Sequence, residues 1–117
     1  MTRYEYRAVV KDVHDGDTIV VDVDLGFRQW VHDEHLRLAG LDAPELNTPA
    51  GRDAKAWVVD QLPVGTVVTI HTELDRDDKY GRKLATLWVR GDGPWGDSLN
   101  TQLLLTEHAR AYYGGKR

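Results

Sequence analysis

The feature that most constrains the fold is a stretch with a period of two from Asp17 to Leu25. Ile19, Val21, Val23 and Leu25 occupy every second position, which is typical of a strand with one buried face. Asp17 has the same register, so a carboxylate falls on the predicted core face. Because a buried carboxylate needs a proton, a hydrogen-bond donor or a cation, this stretch predicts a polar site beside a β-rich core.

Further strand patterns lie on both sides of this stretch. Their predicted ranges are Tyr4 to Val13, Thr66 to Leu74 and Arg82 to Arg90. Strands that precede and follow helical segments predict an α+β domain or a small barrel with helices.

Two helices are predicted between and after these strands. Thr48 is placed as the N-cap and Pro49 as the first residue of one helix. Its apolar residues recur at every fourth position, at Ala50, Ala54, Val58 and Leu62. Either Asp97 or Ser98 caps the second helix, with an inward face of Leu99, Leu103 and Leu104.

The composition excludes several classes of protein. The chain has 117 residues, 41% of them apolar, so we predict one domain over residues 1–117, with 114–117 as a frayed tail. The absence of cysteine excludes disulfides, thiolate metal sites and thiol nucleophiles. A net charge of −4 argues against general electrostatic binding of nucleic acid as the whole function.

The chain has no long apolar run and no apolar N-terminal stretch. The sequence therefore predicts neither a membrane protein nor a signal peptide, and the default expectation is the cytoplasm.

The first candidate motif is Asp15-Gly16-Asp17-Thr18, which places two carboxylates on either side of a glycine. An ordinary turn is the alternative, because short motifs of this kind have many false positives.

The second motif extends from Leu36 to Glu45. Arg37 is flanked by apolar residues on both sides, so we expect it to be partly buried and paired with an anion. A structural ion pair with Asp42 or Glu45 is the alternative. Asp42 and Glu45 follow the end of the strand, where ligands commonly bind at the mouth of a barrel.

The third motif, Asp78 to Arg82, is a charged turn that enters a strand. The guanidinium of Arg82 suits phosphate oxygens, and Tyr80 can stack or hydrogen-bond beside it. A solvated charged hairpin is the alternative.

Taken in this order, the three motifs resemble those of the staphylococcal nuclease (thermonuclease) family. The resemblance extends from about Val9 to Tyr113. It implies a five-stranded OB-fold barrel with two to three helices. It also implies a calcium-dependent nuclease that cleaves DNA and RNA phosphodiesters with little sequence specificity and leaves 3′-phosphates.

The resemblance also implies roles for individual residues. Asp17, Asp42 and the backbone carbonyl of Ala43 match the Ca²⁺ ligands, and Asp15 matches an outer-sphere neighbour. The residues that match the catalytic trio are Arg37, Glu45 and Arg82. Lys79, Tyr80 and Tyr113 match residues near the bound nucleotide. The substrate is expected to be DNA or RNA, preferentially single-stranded, and the protein a monomer that acts after cell lysis or with another metal, since cytoplasmic free Ca²⁺ is scarce.

Other classes of function remain open on the sequence alone. A non-catalytic OB-fold module that binds nucleic acid or a protein partner is the main alternative, and a soluble scaffold domain is another. The polar stretch His32-Asp33-Glu34-His35 suggests a transition-metal site, but it lacks the spacing that places two histidines on one helical face. A solvated turn or long hairpin is therefore preferred for that stretch.

Overall fold

Strands dominate the part of the chain that the computed structural model describes, which is residues 3–77, 83–89 and 96–112. The strands are β1 (Arg3–Asp15), β2 (Thr18–Gly26), β3 (Gln29–Leu38), β4 (Leu41–Asp42), β5 (Val67–Asp77), β6 (Lys83–Trp88) and β7 (Arg110–Ala111). The helices are α1 (Pro49–Gln61) and α2 (Leu99–Leu105).

Five strands close into a barrel in the order β1-β2-β3-β6-β5. The β3–β6 pair is parallel, and the other pairs are antiparallel. β4 and β7 form a separate two-stranded antiparallel sheet. The predicted five-stranded OB-type barrel is therefore confirmed, and the described residues contain two helices, within the predicted two to three.

The barrel interior follows the predicted period of two in β2. Ile19 and Val21 are fully buried, and Asp17, just before β2, is only 7% exposed. The pattern is wrong at Leu25, which is exposed. This residue lies near the tip of the β2–β3 hairpin, where Gly26 pairs with Gln29 and the neighbouring Phe27 is 97% exposed. Apolar alternation therefore continues beyond the point where the barrel covers the strand.

The first helix begins as the sequence predicts. Thr48 is the N-cap, with an extended backbone, and Pro49 follows it as the first helical residue. The expected apolar face is confirmed at Ala54, Val58 and Leu62, which are buried. Ala50 is exposed, so its assignment to that face is wrong.

The second helix is capped by Ser98, whose side chain accepts a hydrogen bond from the Thr101 amide. Leu99 and Leu103 are fully buried. Within the described residues, neither helix combines the length and the apolar character that crossing a bilayer requires.

Asn100 connects α2 to the barrel through three hydrogen bonds. Its Nδ2 donates to the carbonyl oxygens of Ala39 (2.9 Å) and Ala85 (3.1 Å), and its Oδ1 accepts from the Leu87 amide (3.0 Å). Asn100 itself is only 6% exposed. A buried amide that pairs three backbone groups cannot be removed without leaving some of them unpaired.

Asn100→Leu is expected to lower the free energy of unfolding by roughly 2 to 4 kcal/mol, because the replacement leaves buried backbone groups without partners. Urea unfolding at pH 7 measures the change. The matched control is Gln102→Ala on the same helix, which removes one exposed hydrogen bond from Nε2 to the Asp97 carbonyl. Equal stability losses for the two variants would contradict the prediction.

Candidate functional site

An open pocket of about 1030 Å³ is lined by residues from two parts of the chain, within residues 15–45 and residues 104–111. One wall consists of Asp15, Asp17, Arg37, Asp42, Ala43, Pro44 and Glu45. The other wall consists of Leu104, Glu107, His108, Ala109, Arg110 and Ala111. Six of the predicted site residues therefore line one pocket: Asp15, Asp17, Arg37, Asp42, Ala43 and Glu45.

The turn between β1 and β2 supplies two of the carboxylates. The Asp17 amide donates to Oδ1 of Asp15 at 3.0 Å, which fixes the two residues relative to each other. A Cβ on the intervening Gly16 would lie 2.9 Å from the Cβ atoms of both Ala43 and Ala54. Glycine is required here because the turn packs closely against the segment after β4 and against α1.

Arg37 lies between the carboxylates of Asp17 and Asp42. Its Nη1 is 2.9 Å from Oδ2 of Asp17, and its Nη2 is 3.3 Å from Oδ1 of Asp42. The pairing of Thr18 with Arg37 across β2 and β3 brings the guanidinium to the Asp17 turn. The predicted burial is confirmed, because Arg37 is 4% exposed. Of the proposed ion pairs, the one with Asp42 is present, and Asp17 is a second partner.

One nitrogen of this guanidinium retains donor capacity. Nη1 is close to Asp17, but its N–H bonds are not aligned for a hydrogen bond to any acceptor in the described residues. A buried N–H group without an aligned acceptor is costly.

The two aspartates of the turn have pKa values displaced in opposite directions. Burial and the neighbouring Asp15 raise the pKa of Asp17 to about 6, against the opposing effects of the Ala43 amide and Arg37. Burial also acts to raise the pKa of Asp15, but hydrogen bonding with Asp17 outweighs it, so the net pKa is lowered. The closely spaced carboxylates thus favour sharing a proton, or a cation, near neutral pH.

Asp17→Asn is expected to stabilise the cation-free protein at pH 7 by roughly 1 to 3 kcal/mol, because burial and the neighbouring Asp15 disfavour the charged carboxylate more than Arg37 favours it. The folded-state pKa of about 6 exceeds the ordinary value of 3.8. The stabilisation from protonated Asp17 is therefore complete below about pH 4 and is lost as the pH rises through about 6.

Urea unfolding in chelator at pH 4.5 and pH 7 tests this prediction. The advantage of the asparagine variant is expected to be small at the lower pH and to grow toward the higher one. The control is Asp53→Asn, which removes a carboxylate from the exposed side of α1. If Asp17→Asn is no more stable than the wild type at pH 7, the charged Asp17 carboxylate does not destabilise the folded protein and the prediction is wrong.

The chemistry of the donors at the turn suits a hard cation. The Ala43 amide donates to Oδ2 of Asp17 at 3.0 Å, so the Ala43 backbone lies directly beside that carboxylate. Asp17, Asp42 and the Ala43 carbonyl offer only oxygen ligands, which Ca²⁺ and Mg²⁺ prefer. No group of three histidine or carboxylate side chains in residues 3–77, 83–89 and 96–112 is arranged to hold a metal. The fit to a hard cation therefore rests on the oxygen chemistry of these donors and not on a preformed cluster of side chains.

Because the described residues contain no cluster of three such ligands, the structure gives no support to a transition-metal site at residues 32–35. His32, Asp33, Glu34 and His35 lie within β3 in the long hairpin, and His32 Nδ1 is 3.2 Å from Oδ2 of Asp22. Both histidines are exposed. This stretch does not contribute to the pocket lining.

The second wall of the pocket was not identified from the sequence. Arg110 is brought there because it pairs with Asp42 in the small β4–β7 sheet, and its Nη2 is 3.8 Å from Oδ2 of Asp42. His108 stacks on Trp57 with ring centroids 5.3 Å apart. A two-residue strand has no periodicity to detect, so no pattern in the sequence indicates this wall.

Four further candidates, Lys79, Tyr80, Arg82 and Tyr113, lie outside the described residues, as does the expected tail. Their predicted roles stay predictions.

Comparison with known proteins identifies the family. The model of the family described as staphylococcal nuclease homologue matches residues 35–117. The chain belongs to the staphylococcal nuclease family. The resemblance carried by the three motifs is therefore confirmed.

This staphylococcal nuclease homologue is 38% identical over 113 residues to a thermonuclease of Staphylococcus intermedius, covering 90% of the chain and 59% of the relative. It is 37% identical over 83 residues to a thermonuclease of Staphylococcus hyicus, covering 66% and 45%. A protein of Coccidioides posadasii named probable endonuclease LCL3 is 42% identical over 62 residues, covering 48% and 19%. The chain thus spans less than two thirds of each of these relatives.

Proposed function

We propose that this staphylococcal nuclease homologue is a calcium-dependent nuclease that hydrolyses phosphodiester bonds of DNA and RNA with little sequence specificity. The observation that carries the proposal is the convergence of Asp17, Arg37, Asp42 and Glu45, from separate positions in the chain, on one open pocket. Relatives named thermonuclease and probable endonuclease support the same class of reaction. We further propose that the protein acts as a monomer on single strands in preference to duplexes.

The pocket residues divide into those that hold a cation and those that act on the phosphate. Asp17, Asp42 and the Ala43 carbonyl would hold Ca²⁺, with Asp15 as an outer-sphere partner. When bound, Ca²⁺ supplies positive charge beside the phosphate and polarises nearby water. The positive charge would also offset the electrostatic cost of the adjacent buried carboxylates.

In the proposed reaction, a water molecule attacks phosphorus in line with the departing 5′-oxygen. Glu45, exposed at the edge of the pocket, orients this water and accepts its proton. Arg37, which lines the pocket, donates N–H groups to a non-bridging oxygen, and we assign Arg82 the same role. Such preorganised donors stabilise the charge that develops in the transition state.

The bond changes define the products. A bond forms between the water oxygen and phosphorus, and the bond from phosphorus to the 5′-oxygen breaks. The 5′-oxygen takes a proton from solvent and leaves as a hydroxyl, and Glu45 returns the proton of the attacking water to solvent. The phosphate stays on the 3′-oxygen of the other fragment.

Incubation of the wild type with an end-labelled single-stranded DNA tests the proposal, in CaCl₂ and in chelator. Cleavage is expected in Ca²⁺ alone, and the fragments should accept a 5′-phosphate from polynucleotide kinase without prior dephosphorylation. Cleavage that persists in chelator would contradict the role of the cation. Binding without cleavage would favour the non-catalytic OB-fold module, and the absence of both would favour the scaffold domain.

A further inference from the structure

The backbone of Glu45 is bonded directly to the cap of α1. The Thr48 amide donates to the Glu45 carbonyl oxygen at 3.0 Å, and the Thr48 hydroxyl donates to the same oxygen at 2.6 Å. Only Leu46 and Asn47 lie between the two residues. The segment that carries the glutamate therefore forms a tight turn that leads into the helix.

Gly51 completes this arrangement from inside the helix. Its amide donates to Oγ1 of Thr48 at 3.0 Å, so the hydroxyl both accepts and donates. A Cβ at position 51 would lie 2.5 Å from the Glu45 carbonyl carbon, 2.9 Å from the Pro44 carbonyl oxygen, and closer still to the Glu45 oxygen. Glycine lowers the stability of a helix, and here its missing side chain allows the backbone of residues 44–45 to contact the first turn.

The same helix also contacts the turn that carries Asp17. Gly16, in that turn, packs against Ala54 of α1 and against Ala43. α1 is therefore a common support for the carboxylate turn and for the Glu45 backbone. The Glu45 residue itself is exposed, so its position depends more on its backbone than on side-chain packing.

We propose that Thr48 and Gly51 are positioning residues for Glu45. They fix the glutamate backbone against α1, so that its carboxylate is presented to the attacking water at a set position relative to Asp17 and Arg37. This inference rests on the proposed nuclease function. A small displacement of a catalytic group can lower the reaction rate as much as the loss of a contact does, since a misplacement of about 1 Å can lower a rate by about 100-fold.

Steady-state cleavage of single-stranded DNA in saturating Ca²⁺ tests the inference with Gly51→Ala, Thr48→Val and Thr48→Ser. Gly51→Ala and Thr48→Val are expected to lower kcat by about tenfold or more, with KM changed by less than about twofold. Thr48→Ser retains the hydroxyl and is expected to restore kcat to near the wild-type value. This division between kcat and KM, with rescue by serine, distinguishes positioning from a general loss of structure.

The matched control is Val58→Ala, which removes buried side-chain volume from α1 about two turns after Gly51. It is expected to lower the melting temperature while kcat stays near wild type below the unfolding transition. Hydrogen exchange of the Thr48 amide, measured without Ca²⁺ or DNA, is expected to accelerate in Gly51→Ala and not in Val58→Ala.

The outcomes separate the two proposals. An active wild type with kcat unchanged in both Gly51→Ala and Thr48→Val overturns the positioning role and leaves the nuclease function intact. A wild type that does not cleave DNA overturns the nuclease function and the inference that depends on it. If Gly51→Ala does not fold, Thr48→Val and its serine counterpart decide the question.

Discussion

Glu45→Gln is expected to lower kcat by about 10²- to 10⁴-fold, the usual contribution of a positioned general base. The amide has nearly the same size as the carboxylate and can still form hydrogen bonds, but it cannot accept the proton of the attacking water. Because Glu45 is exposed at the pocket edge, the substitution should leave the free energy of unfolding nearly unchanged. Steady-state cleavage of single-stranded DNA in Ca²⁺, together with urea unfolding, measures both quantities.

The pocket offers a matched control for the charge change. Glu107 lies on the opposite wall, and Glu107→Gln removes the same negative charge from the same cavity. Its effect on kcat is expected to be within about threefold, since exposed charges interact weakly. Comparable losses in the two variants would indicate that net charge matters and that Glu45 has no special role.

Arg37→Lys is expected to reduce kcat by about 10²- to 10³-fold, the range found when one preorganised donor is removed. The guanidinium contacts Asp17 and Asp42 through two different nitrogens. A lysine ammonium is a single point charge on a flexible stem and cannot reproduce that fork. The charge is retained, so the loss in kcat should exceed what the loss in stability explains.

Arg110→Lys serves as the control for this substitution. Arg110 is also near Asp42, but its side chain is 80% exposed and the separation is 3.8 Å. The same chemical change there is expected to alter kcat by less than about threefold, because an exposed ion pair contributes little. If Arg37→Lys retains kcat within tenfold of the wild type, the assignment of Arg37 to the reacting phosphate is wrong.

Sequence periodicity predicted the elements that have a repeating environment. The buried face of β2 and the cap of α1 followed from local patterns, since a strand alternates and a helix has a distinct first residue. Asp17 was found by the same means, because it lay in register with Ile19 and Val21. Ala50 was wrongly assigned to the buried face of α1, because periodicity does not show that this part of the first turn is exposed to solvent.

The elements that escaped prediction depend on contacts between distant parts of the chain. The second partner of Arg37 required β2 and β3 to pair in one register. The wall that contains His108 and Arg110 required residues 41–42 to pair with residues 110–111. The role proposed for Gly51 could not be predicted from the sequence. Its close contact with Glu45 depends on a missing side chain, and hydropathy patterns do not show such contacts.

The division of the pocket between two distant regions has a consequence for the time at which activity can arise. One wall comes from within residues 15–45, and the other is added only when residues 104–111 have been synthesised. A nascent chain that has emerged as far as the first helix carries Asp17, Arg37 and Glu45 but lacks the second wall of the pocket. On the proposed function, cellular RNA near the ribosome is not exposed to a working enzyme until residues 104–111 have been synthesised and have joined the pocket.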